Sequence, residues 1–95
     1  MNADQAGNAV YRQATGITLT DVPDGAVVHD ERGLELHFLN PVAAAIIMLC
    51  DGSLSAAAIA RILHEEFALA EVPLPAVNSC LKQLLTARLI TTISD

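Results

Sequence analysis

Apolar and polar positions alternate one by one before residue 40 and fall into helical spacing after it. Ile17-Thr18-Leu19-Thr20 alternates at period two, and Asp21-Val22-Pro23-Asp24-Gly25 is a turn cluster. Ala26-Val27-Val28-His29 follows as a second extended stretch, closed by the polar turn Asp30-Glu31-Arg32-Gly33. Leu34-Glu35-Leu36-His37-Phe38 then alternates again, which sets Leu34, Leu36 and Phe38 on one face of a strand. The pattern predicts a meander of three short antiparallel strands, the last two forming a hairpin.

Asn40-Pro41 is a helix start, because asparagine caps free backbone N–H groups and proline is tolerated at the first helical position. This helix runs through Val42, Ile46, Leu49 and Cys50 and stops at Asp51-Gly52. Ser55 caps a second helix, with Ile59, Ile62, Leu63 and Phe67 on one face and Arg61, Glu65 and Glu66 on the other. Val72-Pro73-Leu74-Pro75 breaks the chain before a third helix, which carries Val77, Leu81, Leu84 and Leu85 and ends near Arg88. Ile90 to Ile93 reads as an extended tail. Residues 1–15 lack periodicity and read as a loose, flexible arm ahead of a domain spanning residues 16–95. The predicted fold class is therefore α+β: an N-terminal three-stranded antiparallel β-meander followed by three α-helices. That order resembles a winged helix-turn-helix with its strands in front.

Composition narrows the function. At 95 residues the chain has room for one domain, and 53% hydrophobic content excludes a disordered protein. Eleven acids against five bases give a net charge of -6, the wrong sign for counterion release from phosphate, so nucleic acid is an unfavoured partner. On the third helix only Lys82 and Arg88 are basic. The longest charge-free apolar stretch, Phe38 to Cys50, is 13 residues, short of the roughly 20 that span a bilayer. The N-terminus lacks the basic start and apolar core of a signal peptide. Cys50 and Cys80 sit in helical patterns, which suggests reduced, buried thiols and a cytoplasmic setting.

Catalytic chemistry is not visible. His29, His37 and His64 stand in no HxxxH or HExxH spacing, and the cysteines in no CxxC spacing, so no metal site is expected. The five glycines are scattered and make no phosphate-cradling loop. Glu65-Glu66 fits a solvated helix face. No catalytic residue and no cofactor is expected.

Leu39-Asn40-Pro41-Val42-Ala43-Ala44-Ala45-Ile46-Ile47-Met48-Leu49-Cys50-Asp51-Gly52 resembles the PqqD family, whose pattern is L-N-x-x-A-x-x-I-x-x-L-x-D-G. The capped run from Ser55 to Leu63 and the later Phe67 continue the likeness, which covers about residues 17 to 93. Ala87-Arg88-Leu89-Ile90 stands where the family commonly has a glycine before two apolar residues, so that glycine is missing here. The resemblance implies a non-catalytic peptide-recognition module, a peptide chaperone of ribosomally synthesised, modified peptides. Such a domain binds the leader segment of a precursor peptide and presents the precursor to a separate modifying enzyme. That enzyme is a radical S-adenosylmethionine maturase, a cyclase or a leader protease. The leader is held as an extra strand on the edge of the third predicted strand, against the third helix.

Such a site must meet an energetic demand. Ordering a peptide costs roughly 1–2 kcal/mol per residue, while each ladder hydrogen bond returns about 0.5–1.5 kcal/mol. Specificity therefore needs side-chain pockets, worth roughly 1.5–3 kcal/mol per buried anchor. The third predicted strand contains no proline, and the third helix carries more apolar residues than one core stripe needs. The expected peptide-binding residues are Leu34, Glu35, Leu36, His37 and Phe38 on the strand, with Asn78, Leu81, Lys82, Leu85 and Arg88 on the helix. An open edge also pairs with a second copy of the chain, so a homodimer is the competing arrangement. A winged-helix regulator and a structural subunit of a larger enzyme are the alternative functions.

Overall fold

A computed structural model describes residues 9–93. Its strands and helices are β1 (Val10–Gln13), β2 (Ile17–Val22), β3 (Gly25–Asp30), β4 (Glu35–Leu39), α1 (Pro41–Leu49), β5 (Asp51–Ser55), α2 (Ala56–Glu66), α3 (Leu74–Thr86) and β6 (Ile90–Ile93). The predicted α+β order is present, with three helices and the antiparallel meander β2-β3-β4. The two-residue turn Pro23-Asp24 pairs Val22 with Gly25, and Asp30 pairs with Glu35 across the next turn. Gly25 is required at its position. A Cβ there would collide with the Leu39 carbonyl oxygen, so only glycine lets the hairpin close against the end of β4.

The caps form as the sequence indicates. Asn40 Oδ1 accepts a hydrogen bond from the Ala43 N–H at 2.8 Å, and Ser55 Oγ accepts from Ala58 N–H at 3.2 Å. Ile46 and Ile47 of α1, Ile59 and Leu63 of α2, and Val77 and Leu81 of α3 meet in one core with Val28, Leu89 and Ile90. Phe67, expected on the apolar face of α2, is instead exposed at the helix C-terminus.

A second sheet departs from the expectation. Residues 10–13, read as part of a loose arm, form β1, the middle strand of an antiparallel sheet ordered β5-β1-β6. The rest of the predicted arm, residues 1–8, lies outside the described residues. Gln13 N–H donates to the Cys50 carbonyl and Ala14 N–H to that of Leu89, both at 3.0 Å. Partners so distant along the chain leave no local signature in residues 10–13. Asp51-Gly52 ends α1 as expected but continues as β5, and a shift of register between Tyr11 and Arg12 accommodates it. The tail from Ile90 is β6.

The third helix ends in a Schellman motif. Arg88 N–H donates to the Leu85 carbonyl and Leu89 N–H to that of Leu84, while Arg88 adopts φ +65°. The position where glycine is expected does have the left-handed backbone that favours glycine, with arginine in it.

Candidate functional site

The open edge of β4 can be read group by group from the ladder. A two-residue turn makes Val22 and Gly25 a hydrogen-bonded pair, and the 2.9 Å bond from Glu31 N–H to the Gly16 carbonyl keeps that parity at the far end. Gly25, Val27 and His29 therefore bond toward β2, and Ala26, Val28 and Asp30 toward β4. Their partners Leu39, His37 and Glu35 are bonded inward. Leu36 and Phe38 remain, and both point N–H and C=O groups away from the sheet.

Side chains follow the same alternation. Leu39 is buried and His37 half-buried on the inner face, whereas Leu36 and Phe38 are 71% and 67% exposed on the outer one. They share a face, as the sequence indicates, and that face looks to solvent. Leu34 belongs to the turn, with φ +57°, rather than to the strand.

Between this edge and α3 lies a cavity of about 370 Å³. Leu36, His37, Phe38 and Leu39 form one wall, and Cys80, Gln83, Leu84 and Ala87 the other. Three of the expected residues, Leu36, His37 and Phe38, line it. Leu81 does not: it is fully buried in the core. Leu85 packs half-buried against the core, and Asn78 and Lys82 point elsewhere from exposed positions. The helical wall sits one position round from the expected stripe. Cys80, Gln83, Leu84 and Ala87 recur at i, i+3, i+4 and i+7, a spacing visible in the sequence but masked by the more apolar leucines beside it.

Arg88 contributes its carbonyl rather than its side chain. Arg32, in the β3–β4 turn, donates through Nη2 to Arg88 O at 2.6 Å. The same guanidinium forms a fork with Asp30, Nε to Oδ1 at 2.9 Å and Nη2 to Oδ2 at 3.0 Å. Hydrogen bonds from the Arg32 side chain lower the Asp30 pKa from 3.8 to about 2, against the opposing effect of burial. Glu35 and His37 also face Asp30, and these three residues can bring one ligand atom each within 4.8 Å. Arg32 already engages both Asp30 oxygens, so the cluster is arranged as an ion pair. His37 Nε2 is enclosed 3.7 Å from Glu35 Oε1 and has no hydrogen-bond partner among the described residues.

The cysteines are free thiols. Burial pushes the Cys50 thiol up to about 12, and burial also raises Cys80. Neither is activated as a nucleophile, since that requires a depressed pKa. A larger cleft of about 460 Å³ lies between α1 and α2, lined by Met48, Ile62 and Phe67 among others. It has apolar walls but no strand edge. No helix of the described residues is long and apolar enough to cross a membrane.

Comparison with known proteins adds three findings. A family model described as coenzyme PQQ synthesis protein D (PqqD) matches residues 25–90, more than half of the chain. A solved structure titled "Lasso peptide synthetase B1 complexed with the leader peptide" is similar in fold, with a TM-score of 0.72 and 23% sequence identity. The match covers 85% of this chain and 96% of that one. No curated protein matches the chain.

Proposed function

Because the chain belongs to the PqqD family, we propose that it is a non-catalytic module that binds the leader segment of a precursor peptide by strand addition to β4. It then presents that precursor to a separate modifying enzyme, such as a radical S-adenosylmethionine maturase, a cyclase or a leader protease. The observation that carries the reading is the pair of outward-pointing backbone units at Leu36 and Phe38, standing beside an apolar helical wall. A strand laid there gains ladder hydrogen bonds from β4 and pockets for alternate side chains against Leu84 and Ala87. The similar solved structure contains a leader peptide, which supports the reading.

Residues on both walls have roles in this proposal. Leu36 and Phe38 supply the backbone and flank the peptide on the outer face. His37, Leu39, Leu84 and Ala87 meet its inward side chains. A net charge of -6 favours peptide over nucleic acid.

The test is selection from a phage library of random 16-residue peptides, followed by titration of the enriched peptide against the protein and Leu36→Pro. Proline at 36 removes an outward donor while sparing the bonds to β3. We expect micromolar or tighter binding to the protein and at least tenfold weaker binding to the variant. A library that yields no binder, or a binder indifferent to Leu36→Pro, contradicts the proposal. If the edge pairs with a second copy instead, sedimentation will show a dimer that peptide does not dissociate.

A further inference from the structure

The two ends of the groove differ. Beyond Ala87, Arg32 of the β3–β4 turn ties that turn to the chain just after α3, bonding Arg88 O at 2.6 Å. Asp30 holds that guanidinium with two further hydrogen bonds, so the crossing is a braced strut rather than a loose side chain. At the opposite end the groove continues. A second compartment of about 290 Å³ is lined by Asn40, Val42, Ala76 and Ser79, and it shares Ala43, Cys80 and Gln83 with the first. The shared residues set the two compartments side by side along α3, from Ala87 back to Ala76.

Resting on the strand-addition reading above, we propose that the groove is open at one end only. The Arg32 strut closes it at the β3–β4 turn. A bound peptide continues past Leu39 into the second compartment, between the N-terminal halves of α1 and α3. Among the described residues, no Asp, Glu, Lys or Arg lines that compartment. Its apolar lining is Val42, Ala43, Ala76 and Cys80, and its polar lining is the amides of Asn40 and Gln83 and the Ser79 hydroxyl. It therefore takes a neutral, aliphatic side chain of small or medium size, with polar groups at hand for the peptide backbone. Recognition reaches beyond the strand on one side, and Arg32 acts as a positioning residue that sets which side.

The experiment trims the library-selected peptide one residue at a time from each terminus and measures affinity. Residues outside the paired strand should matter at one terminus only. Removing them there should weaken binding about tenfold (about 1.4 kcal/mol), and at the other terminus less than about twofold. Ala76→Trp and Ser79→Tyr enlarge exposed residues that line the second compartment. Each should abolish the dependence on that terminus while leaving the thermal midpoint and the strand contribution unchanged. Arg32→Ala should make the opposite terminus contribute, a change in length profile that simple loss of stability does not produce. Equal dependence on both termini, or a profile untouched by both blocking variants, overturns the one-ended groove. Binding indifferent to Leu36→Pro overturns the strand reading itself, so the two failures are distinguishable.

Discussion

The sheet β2-β3-β4 comes from one continuous stretch of chain, residues 17–39, whereas β5-β1-β6 gathers strands from residues 51–55, 10–13 and 90–93. Their edges differ as much as their assembly. The β5 edge is broken by Gly52 at φ +94° and a shifted register, and β6 is four residues long with exposed threonines. Short, irregular, polar edges resist further pairing. The β4 edge is regular, free of proline and flanked by exposed Leu36 and Phe38. One sheet thus fastens distant parts of the chain together, and the other keeps a template open beside a helix.

Removing the fastening sheet tests this division most severely. Deleting residues 1–14 takes out the middle strand, and with it the bonds from Gln13 and Ala14 to Cys50 and Leu89. We expect loss of most of a stability on the order of 5–15 kcal/mol, read by circular dichroism on heating. An unchanged melt would return residues 10–13 to the status of an arm.

Two neighbouring prolines divide the open sheet into its two sides. His37→Pro removes a bond to β3 and leaves the buried Val28 carbonyl without its donor, a cost of about 1–3 kcal/mol in urea unfolding. Leu36→Pro should cost under about 1 kcal/mol, because its lost donor faces solvent. Equal costs would show that the assigned parity is wrong.

Arg88→Gly relieves a left-handed backbone without touching the carbonyl that Arg32 uses. It should raise stability by about 1 kcal/mol, seen as a higher urea midpoint. The smallest effect concerns Asp30. Its folded pKa is depressed to about 2 from 3.8, so its contribution is complete above pH about 4 and is lost as pH falls toward 2. Asp30→Asn should flatten the acid dependence of the melting temperature in that window. An equally steep acid dependence in the variant would remove the Asp30–Arg32 pair from the account.

The same contrast explains how much was legible in the sequence. The open sheet and all three helices depend on neighbours: Pro23-Asp24-Gly25 turns the hairpin, Asn40 and Ser55 cap their helices, and each signal lies beside what it causes. The fastening sheet depends on partners scores of residues away, so Val10–Gln13 looks featureless and Asp51–Ser55 looks like a turn followed by a cap. In the groove, the strand wall was readable because period two leaves only two faces. On the helix, the expected Leu81, Lys82 and Leu85 do not line the groove, whereas Cys80, Gln83 and Ala87 do. Several stripes of α3 are apolar, and only the neighbouring elements decide which one enters the core.

Strand addition to β4 depends on its alternating amides, and hydrogen exchange of those amides measures it directly. In the free protein, the Leu36 and Phe38 N–H groups should exchange fast while His37 and Leu39 are protected by β3. Addition of the library-selected peptide should protect Leu36 and Phe38 and leave His37 and Leu39 as they were. Peptide-induced protection confined to the cleft between α1 and α2, with Leu36 and Phe38 still exchanging freely, would contradict the account.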